Sequence, residues 1–157
     1  MTYDIMLVRI PADSTLHETV ARLDADFAPD ADLPLLRLTD GQRAAWDRIL
    51  DRVSGEVGAV ESVEYPYSLM FETVGPPGRV QFDYYGDTAN VEVAYRHAGA
   101  GASAVMELAY RIARIAEEES GLTGYDFEVD QPVRTGDPAK AAARLGAVSD
   151  WAQQHLS

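Results

Sequence analysis

Residues 80–96, VQFDYYGDTANVEVAYR, alternate apolar and polar side chains along two segments that a Gly-Asp pair separates. Alternation with a period of two predicts β-strands with one buried and one exposed side. Gly86-Asp87 predicts a tight turn, so the two strands should pair antiparallel. The segment 67–74 ends at Gly75-Pro76-Pro77-Gly78 and predicts a third strand of the same meander. The core of the fold is therefore a sheet with one polar face.

Two further strands are predicted outside this meander. Residues 3–10 are nearly all apolar, which is typical of a strand that is covered on both faces. Residues 125–130 alternate Tyr125, Phe127 and Val129 with three carboxylates. We expect the apolar side chains of this last strand to point into the core and its carboxylates to point outward.

Four helices are predicted from apolar spacing and capping residues. Thr15 begins the first helix, and an Asp- and Pro-rich loop follows at 28–34. Thr39 begins the second helix, whose apolar positions recur with helical spacing from Trp46 to Val57. A glycine and alanine loop at 98–102 should lead into the third helix.

The third helix is predicted to be capped by Ser103 and to stop at Gly121. Asp137 caps the fourth helix, which Pro138 opens. The predicted order is thus β-α-α-β-β-β-α-β-α in one α+β domain over residues 1–157. We expect a mainly antiparallel five-stranded sheet with the helices packed on one face. The crossover around the third helix should leave room for the first strand between its two strands.

Composition limits the classes of function. The chain has 26 acidic and 13 basic residues, a formal net charge of −13, and no cysteine. Such a charge repels nucleic acid and anionic membranes but attracts a basic protein. Thiolate metal sites, disulfides and cysteine nucleophiles are excluded, and His17, His97 and His155 lack metal-ligand spacing. We predict no metal and no cofactor. We also predict a cytoplasmic location, since no apolar run approaches the length of a membrane span.

The polar face of the predicted sheet is rich in carboxylates. We predict that this face binds the partner protein. The residues are Glu72, Asp83, Glu92, Asp126, Glu128 and Asp130. Three more glutamates, 117–119, end the third helix, and we interpret them as its solvent-exposed last turn.

The connection into the third helix carries the pattern Arg96-x-x-Gly99-x-Gly101. It resembles the pyrophosphate loop of the acetyl-CoA-dependent N-acetyltransferase superfamily, and the order of elements is similar up to the fourth helix. The resemblance implies an acetyl-CoA site at Arg96, Gly99, Gly101 and Ser103, with Tyr95 or Tyr125 nearest for proton transfer. The superfamily adds two strands after its last helix, which this sequence does not predict.

Three other segments resemble an uncharacterised bacterial family of small acidic α+β proteins, of actinobacterial type. They are Tyr3-Asp4-Ile5-Met6, the strand at 91–96 and the segment at 121–126. The family has "Pro-Tyr-Trp" where this chain has Ala94-Tyr95-Arg96, and "Tyr-Asp-Pro-Gln" where it has 125–128. The resemblance implies no activity, although size and acidity invite comparison with immunity proteins of toxin systems.

Two functions therefore follow from the sequence. The first is an acidic protein-binding module, such as an immunity-type inhibitor of a basic toxin, and the charge and the missing catalytic set favour it. The alternative is a divergent acetyl-CoA-binding, N-acetyltransferase-like domain, which the glycine pattern at 96–103 favours.

Overall fold

A computed structural model describes residues 2–27 and 34–156. Within these residues the chain forms seven strands and four helices. In chain order they are β1 Thr2–Val8, α1 Leu16–Asp26, α2 Asp40–Glu56, β2 Val60–Glu64, β3 Leu69–Thr73, β4 Val80–Tyr84, β5 Thr88–Ala94, α3 Gly99–Ser120, β6 Thr123–Asp126, β7 Gln131–Pro132 and α4 Pro138–Leu156. Apart from Pro34, the loop predicted at 28–34 lies outside the described residues.

The strands form one antiparallel sheet in the order β2-β3-β4-β5-β1-β6-β7. The α+β class and the meander β3-β4-β5 are confirmed. The place of the first strand is also confirmed, because β1 lies between β5 and β6 and pairs with both. The predicted number of five strands is wrong, since β2 and β7 extend the sheet at its two ends.

Both unpredicted strands lie at edges, where the burial that produces a sequence pattern is weak. The β2 segment VESVE is exposed at four of its five positions. The β7 strand has two residues, one of which is a proline. Neither segment gives the alternation of buried apolar residues by which strands are recognised.

One face of the sheet, here called the covered face, packs against α2 and α3. Trp46 of α2 lies over β3 and β4, with its ring centroid 5.8 Å from that of Phe71, 6.2 Å from Phe82 and 5.9 Å from Tyr84. The α3 helix contacts β1, β4, β5 and β6, and α4 packs against α3. The apolar side chains of α3, including the fully buried Ile112, thereby close the core.

The prediction that the helices share one face is wrong for α1, which lies against the opposite face, here called the open face. His17 of α1 has its ring centroid 5.8 Å from that of Tyr125, which pairs with Met6 on this side. Leu23 lines a cleft together with Met6. The α1 helix buries little, since Leu23 is 40% and Phe27, just after the helix, 74% exposed.

The prediction that the first strand is covered on both faces is also wrong. Tyr3, Ile5 and Leu7 are buried on the covered face, whereas Asp4 is exposed on the open face. Burial therefore alternates from Thr2 to Leu7 despite the nearly continuous apolar composition, and both faces of the strand are buried only at its end, at Leu7 and Val8.

Candidate functional site

Four carboxylates and one amide form a straight row across the open face. The antiparallel register places Glu61 of β2 opposite Glu72 of β3 and Glu72 opposite Gln81 of β4. It then places Gln81 opposite Glu92 of β5 and Glu92 opposite Asp4 of β1. We call Glu61, Glu72, Gln81, Glu92 and Asp4 the carboxylate row. Because neighbouring strands lie about 4.8 Å apart, the row extends across the sheet for about 19 Å.

Side-chain amides hold several of these carboxylates in place. Asn90 donates to Glu92 at 3.0 Å and to Asp4 at 3.3 Å. Gln81 donates at 3.0 Å to Asp83, which lies two residues further along β4 on the same face. Neutral amides can orient carboxylates but cannot neutralise them, so the negative charge of the face is kept.

The open face has little positive charge to balance these groups. Among the described residues, the one ion pair that reaches the row joins Arg79 Nε and Glu72 at 3.4 Å. Burial raises the pKa of Asp83, and the charge of Asp4 raises it further. Burial, followed by the charges of Asp83 and Asp4, raises the pKa of Glu92. Like charges opposite one another destabilise a sheet, so this arrangement costs stability.

Exposed tyrosines flank the carboxylates at the ends of the strands. The rings of Tyr65 and Tyr67 stack with centroids 5.7 Å apart and planes 3° apart, and both are about 40% exposed. Tyr85 follows β4 and is 46% exposed. Burial and the neighbouring carboxylates of Asp83 and Glu92 raise the pKa of Tyr85. Tyrosine rings beside carboxylates can receive cationic side chains through both charge and ring contact.

Half of the predicted partner-binding residues lie together on this face, namely Glu72, Asp83 and Glu92. Asp126 does not, because it is fully buried on the covered side. Its Oδ2 accepts hydrogen bonds from Tyr3 at 2.6 Å and Tyr110 at 2.5 Å, and its Oδ1 accepts one from the Glu128 amide at 3.0 Å. The expected orientation of the last strand is therefore inverted, since Asp126 points inward and Tyr125 points to the open face.

The other two predicted residues lie in the connection between β6 and β7. Glu128 accepts a hydrogen bond from Tyr95 at 3.1 Å and pairs with Arg144 of α4 at 3.5 Å. Burial and the Glu128 carboxylate raise the pKa of Tyr95 to about 12, which makes Tyr95 a poor base near neutral pH. Asp130 accepts a hydrogen bond from Tyr125.

Two carboxylates of the row, Asp4 and Glu61, were missed by the sequence prediction. Asp4 alternates with the apolar Tyr3 and Ile5, so a period of two would have found it. Glu61 belongs to a strand that gave no recognisable pattern. The structure thus replaces a predicted patch on β6 with a row that continues to the β2 edge.

The predicted glycine loop before the third helix is wrong, because α3 already begins at Gly99. Ala98 occupies the N-cap position, and Ser103 lies exposed within the helix rather than capping it. The amides of Gly101 and Ala102 both donate to the Ala98 carbonyl, at 3.1 and 3.3 Å. Gly99 has a φ of +56°, whereas Gly101 does not have a positive φ. The amides of Gly101 and Ala102 are therefore not free to bind a phosphate at the predicted site of Arg96, Gly99, Gly101 and Ser103.

In the part of the chain that the structure describes, no group of three or more histidine or carboxylate side chains is placed to hold a metal ion. No described helix is long and apolar enough to cross a membrane. Comparisons of the chain with protein families, with curated proteins and with solved structures find no match.

Proposed function

We propose that the chain is a protein-binding module that recognises a basic partner through the open face of its sheet. The observation that carries the proposal is the carboxylate row, whose members lie on five adjacent strands with Arg79 as the paired cation. A row that destabilises the sheet, and in which Arg79 pairs with Glu72 alone, is best explained by cations that a partner supplies.

The exposed tyrosines add contact area beside this charge. Tyr65, Tyr67 and Tyr85 offer rings and hydroxyl groups that lose little entropy on binding. Lysine and arginine side chains of the partner would contact the rings as well as the carboxylates. An immunity-type inhibitor of a basic toxin is the specific form of this function that we propose, because the size and net charge of the chain suit it.

The test compares two triple variants of equal net charge. The face variant is Asp4→Asn, Glu72→Gln and Glu92→Gln. The control variant changes three exposed carboxylates on the helices, Asp51→Asn, Glu107→Gln and Asp150→Asn. The probe is a purified basic protein encoded beside the gene for this chain. We expect the face variant to bind about tenfold more weakly at low salt and the control to bind as the wild type does.

The salt dependence of binding provides a second readout. Binding through the row should weaken steeply as salt rises, and the face variant should show a shallower dependence than the control. Equal losses in the two variants would contradict the proposal, because they would show that only the total charge matters.

A further inference from the structure

The sheet ends on one side in β2, a strand whose outer backbone groups bond to no described residue. The Tyr65 amide donates to the Ser68 carbonyl at 2.8 Å, and the Val74 amide donates to the Ala59 carbonyl at 3.2 Å. In an antiparallel pair, residues whose backbone groups face the partner strand alternate with residues whose groups point away. Residues 59, 61, 63 and 65 therefore face β3. The amides and carbonyls of Val60, Ser62 and Glu64 point outward.

No other described residue pairs with these outward groups. The β2 strand is the last in the sheet, and its side chains are exposed except for the half-buried Val60. The opposite end of the sheet differs, because β7 has two residues and Pro132 has no amide hydrogen. The sheet thus has one edge that can accept another strand.

We infer that β2 receives an extended, basic segment of the partner protein as an additional strand of the sheet. This inference rests on the proposed function for the charge of the partner and on the β2 edge for the mode of binding. The backbone of the segment would pair with Val60, Ser62 and Glu64. Its alternate side chains would continue the open face beside Glu61 and the covered face beside Val60.

Charge selects a basic strand over a second copy of this chain. Glu61 begins the carboxylate row at the β2 edge, so an added strand places one side chain next to it on the open face. A lysine or arginine there would meet unbalanced negative charge. A second copy would bring another row of carboxylates and a further net charge of −13 to the same edge. Like charges placed across strands are unfavourable, so self-pairing is opposed.

The probe is a short synthetic peptide in which lysine alternates with valine. We infer antiparallel pairing, as in the rest of the sheet. With lysines beside Glu61 and valines beside Val60, the valine amides then face β2 and the lysine amides point away. Peptides N-methylated on the valine amides or on the lysine amides have equal charge and differ only in which backbone edge is blocked. We expect methylation at valine to weaken binding about tenfold and methylation at lysine to leave it unchanged.

Amide hydrogen exchange locates the added strand directly. In the free protein the outward amides of Val60, Ser62 and Glu64 should exchange quickly, whereas those of Glu61 and Val63 should be protected. Adding the unmodified peptide should slow exchange at the three outward amides. Fast exchange there with the peptide bound, or equal binding of the two methylated peptides, would overturn the inference.

A variant of β2 separates this inference from the proposed function. Ser62→Pro removes an outward amide and keeps the β2–β3 bonds, and Ser62→Ala is its control. An unchanged unfolding midpoint for Ser62→Pro shows that this variant keeps the fold. If the midpoint falls, the exchange experiment on the wild-type protein tests strand addition in its place. Loss of peptide binding in Ser62→Pro but not in Ser62→Ala supports strand addition. With the basic partner protein as the probe, binding lost only in the face variant overturns the edge and keeps the proposed function, whereas binding lost only in Ser62→Pro overturns the role of the row. Binding kept in both variants overturns both.

Discussion

Two neighbouring rungs of the same sheet differ in almost every physical respect. On the covered face, Phe71, Phe82, Val91 and Ile5 lie opposite one another across β3, β4, β5 and β1, and all are fully buried. The chain neighbours of these four residues point to the open face and belong to the carboxylate row. They are Glu72, Gln81, Glu92 and Asp4. The first rung stabilises the sheet through apolar burial, and the second opposes it through charge repulsion. The sheet therefore separates the residues that maintain the fold from those available for recognition.

The comparison is sharper because arginines pair with the carboxylates at the end of α3. Glu118 and Glu119, at the end of α3, pair with Arg52 of α2 at 2.6 and 3.1 Å, and Arg48 pairs with Glu119 at 3.1 Å. The interpretation of this segment as a solvated last turn is thus incomplete, because it joins two helices. These arginines join two helices, whereas among the described residues the one ion pair that reaches the carboxylate row is that of Arg79 with Glu72.

The largest expected effect lies on the covered face. Trp46→Ala removes a buried ring that contacts three aromatic side chains, and Tyr85→Ala removes a ring of similar kind that is 46% exposed on the open face. We expect the first change to lower the free energy of unfolding by about 3–5 kcal/mol and the second by less than about 1 kcal/mol. Urea denaturation measures both values, and similar losses would break the comparison.

A smaller effect is expected where a carboxylate lies on the covered side. Asp126→Asn replaces one carboxylate oxygen by an NH2 group, which cannot accept a hydrogen bond. Either the two tyrosine hydroxyls at Oδ2 or the Glu128 amide at Oδ1 therefore lose their acceptor. We expect a loss of about 1–3 kcal/mol. Tyr110→Phe, which removes one donor, provides the matched variant. A neutral result for Asp126→Asn in urea denaturation would show that this network does not stabilise the fold.

The smallest effect has the opposite sign and belongs to the open face. The double variant Asp83→Asn, Glu92→Gln removes two carboxylates whose pKa values are raised in the folded state. At neutral pH we expect a gain in stability of about 0.2–1 kcal/mol, because like charges across strands destabilise the sheet.

The pH dependence follows from the direction of the shifts. A raised folded pKa means that the native state binds more protons than the unfolded state above the unfolded values, about 3.9 for Asp and 4.3 for Glu. The wild type should therefore recover stability relative to the variant as the pH falls from 7 towards about 4. Unfolding measured over this range checks the sign. A difference that grows on acidification would show that these carboxylates stabilise the native state.

The central part of the fold was predictable because its patterns arise from burial. The meander and the pairing position of β1 followed from alternation and from rules of connection. The second helix was predicted to begin after Thr39, and its capping box with Gln42 is present. In these elements local sequence preference and tertiary packing favour the same structure.

The site was only partly predictable because hydrogen bonding can override polarity. Glu72, Asp83 and Glu92 follow the period of two, so their shared face could be predicted. Asp126 follows the same period but is buried, since two tyrosine hydroxyls and a backbone amide satisfy its oxygens. The two tyrosines are 123 and 16 residues away in sequence, and alternation alone cannot reveal them. Likewise, the contacts of α1 with the open face could not be inferred from its amphipathic pattern.

The position of β1 in the middle of the sheet has a consequence for how the chain is synthesised and folded. Tyr3 pairs with Val93, and Met6 pairs with Tyr125, so the first strand made must wait for partners made much later. Until then its apolar side chains are without the neighbours that bury them, and closing such long loops slows folding. Assembly of the sheet on the ribosome therefore cannot be completed before β6 has emerged.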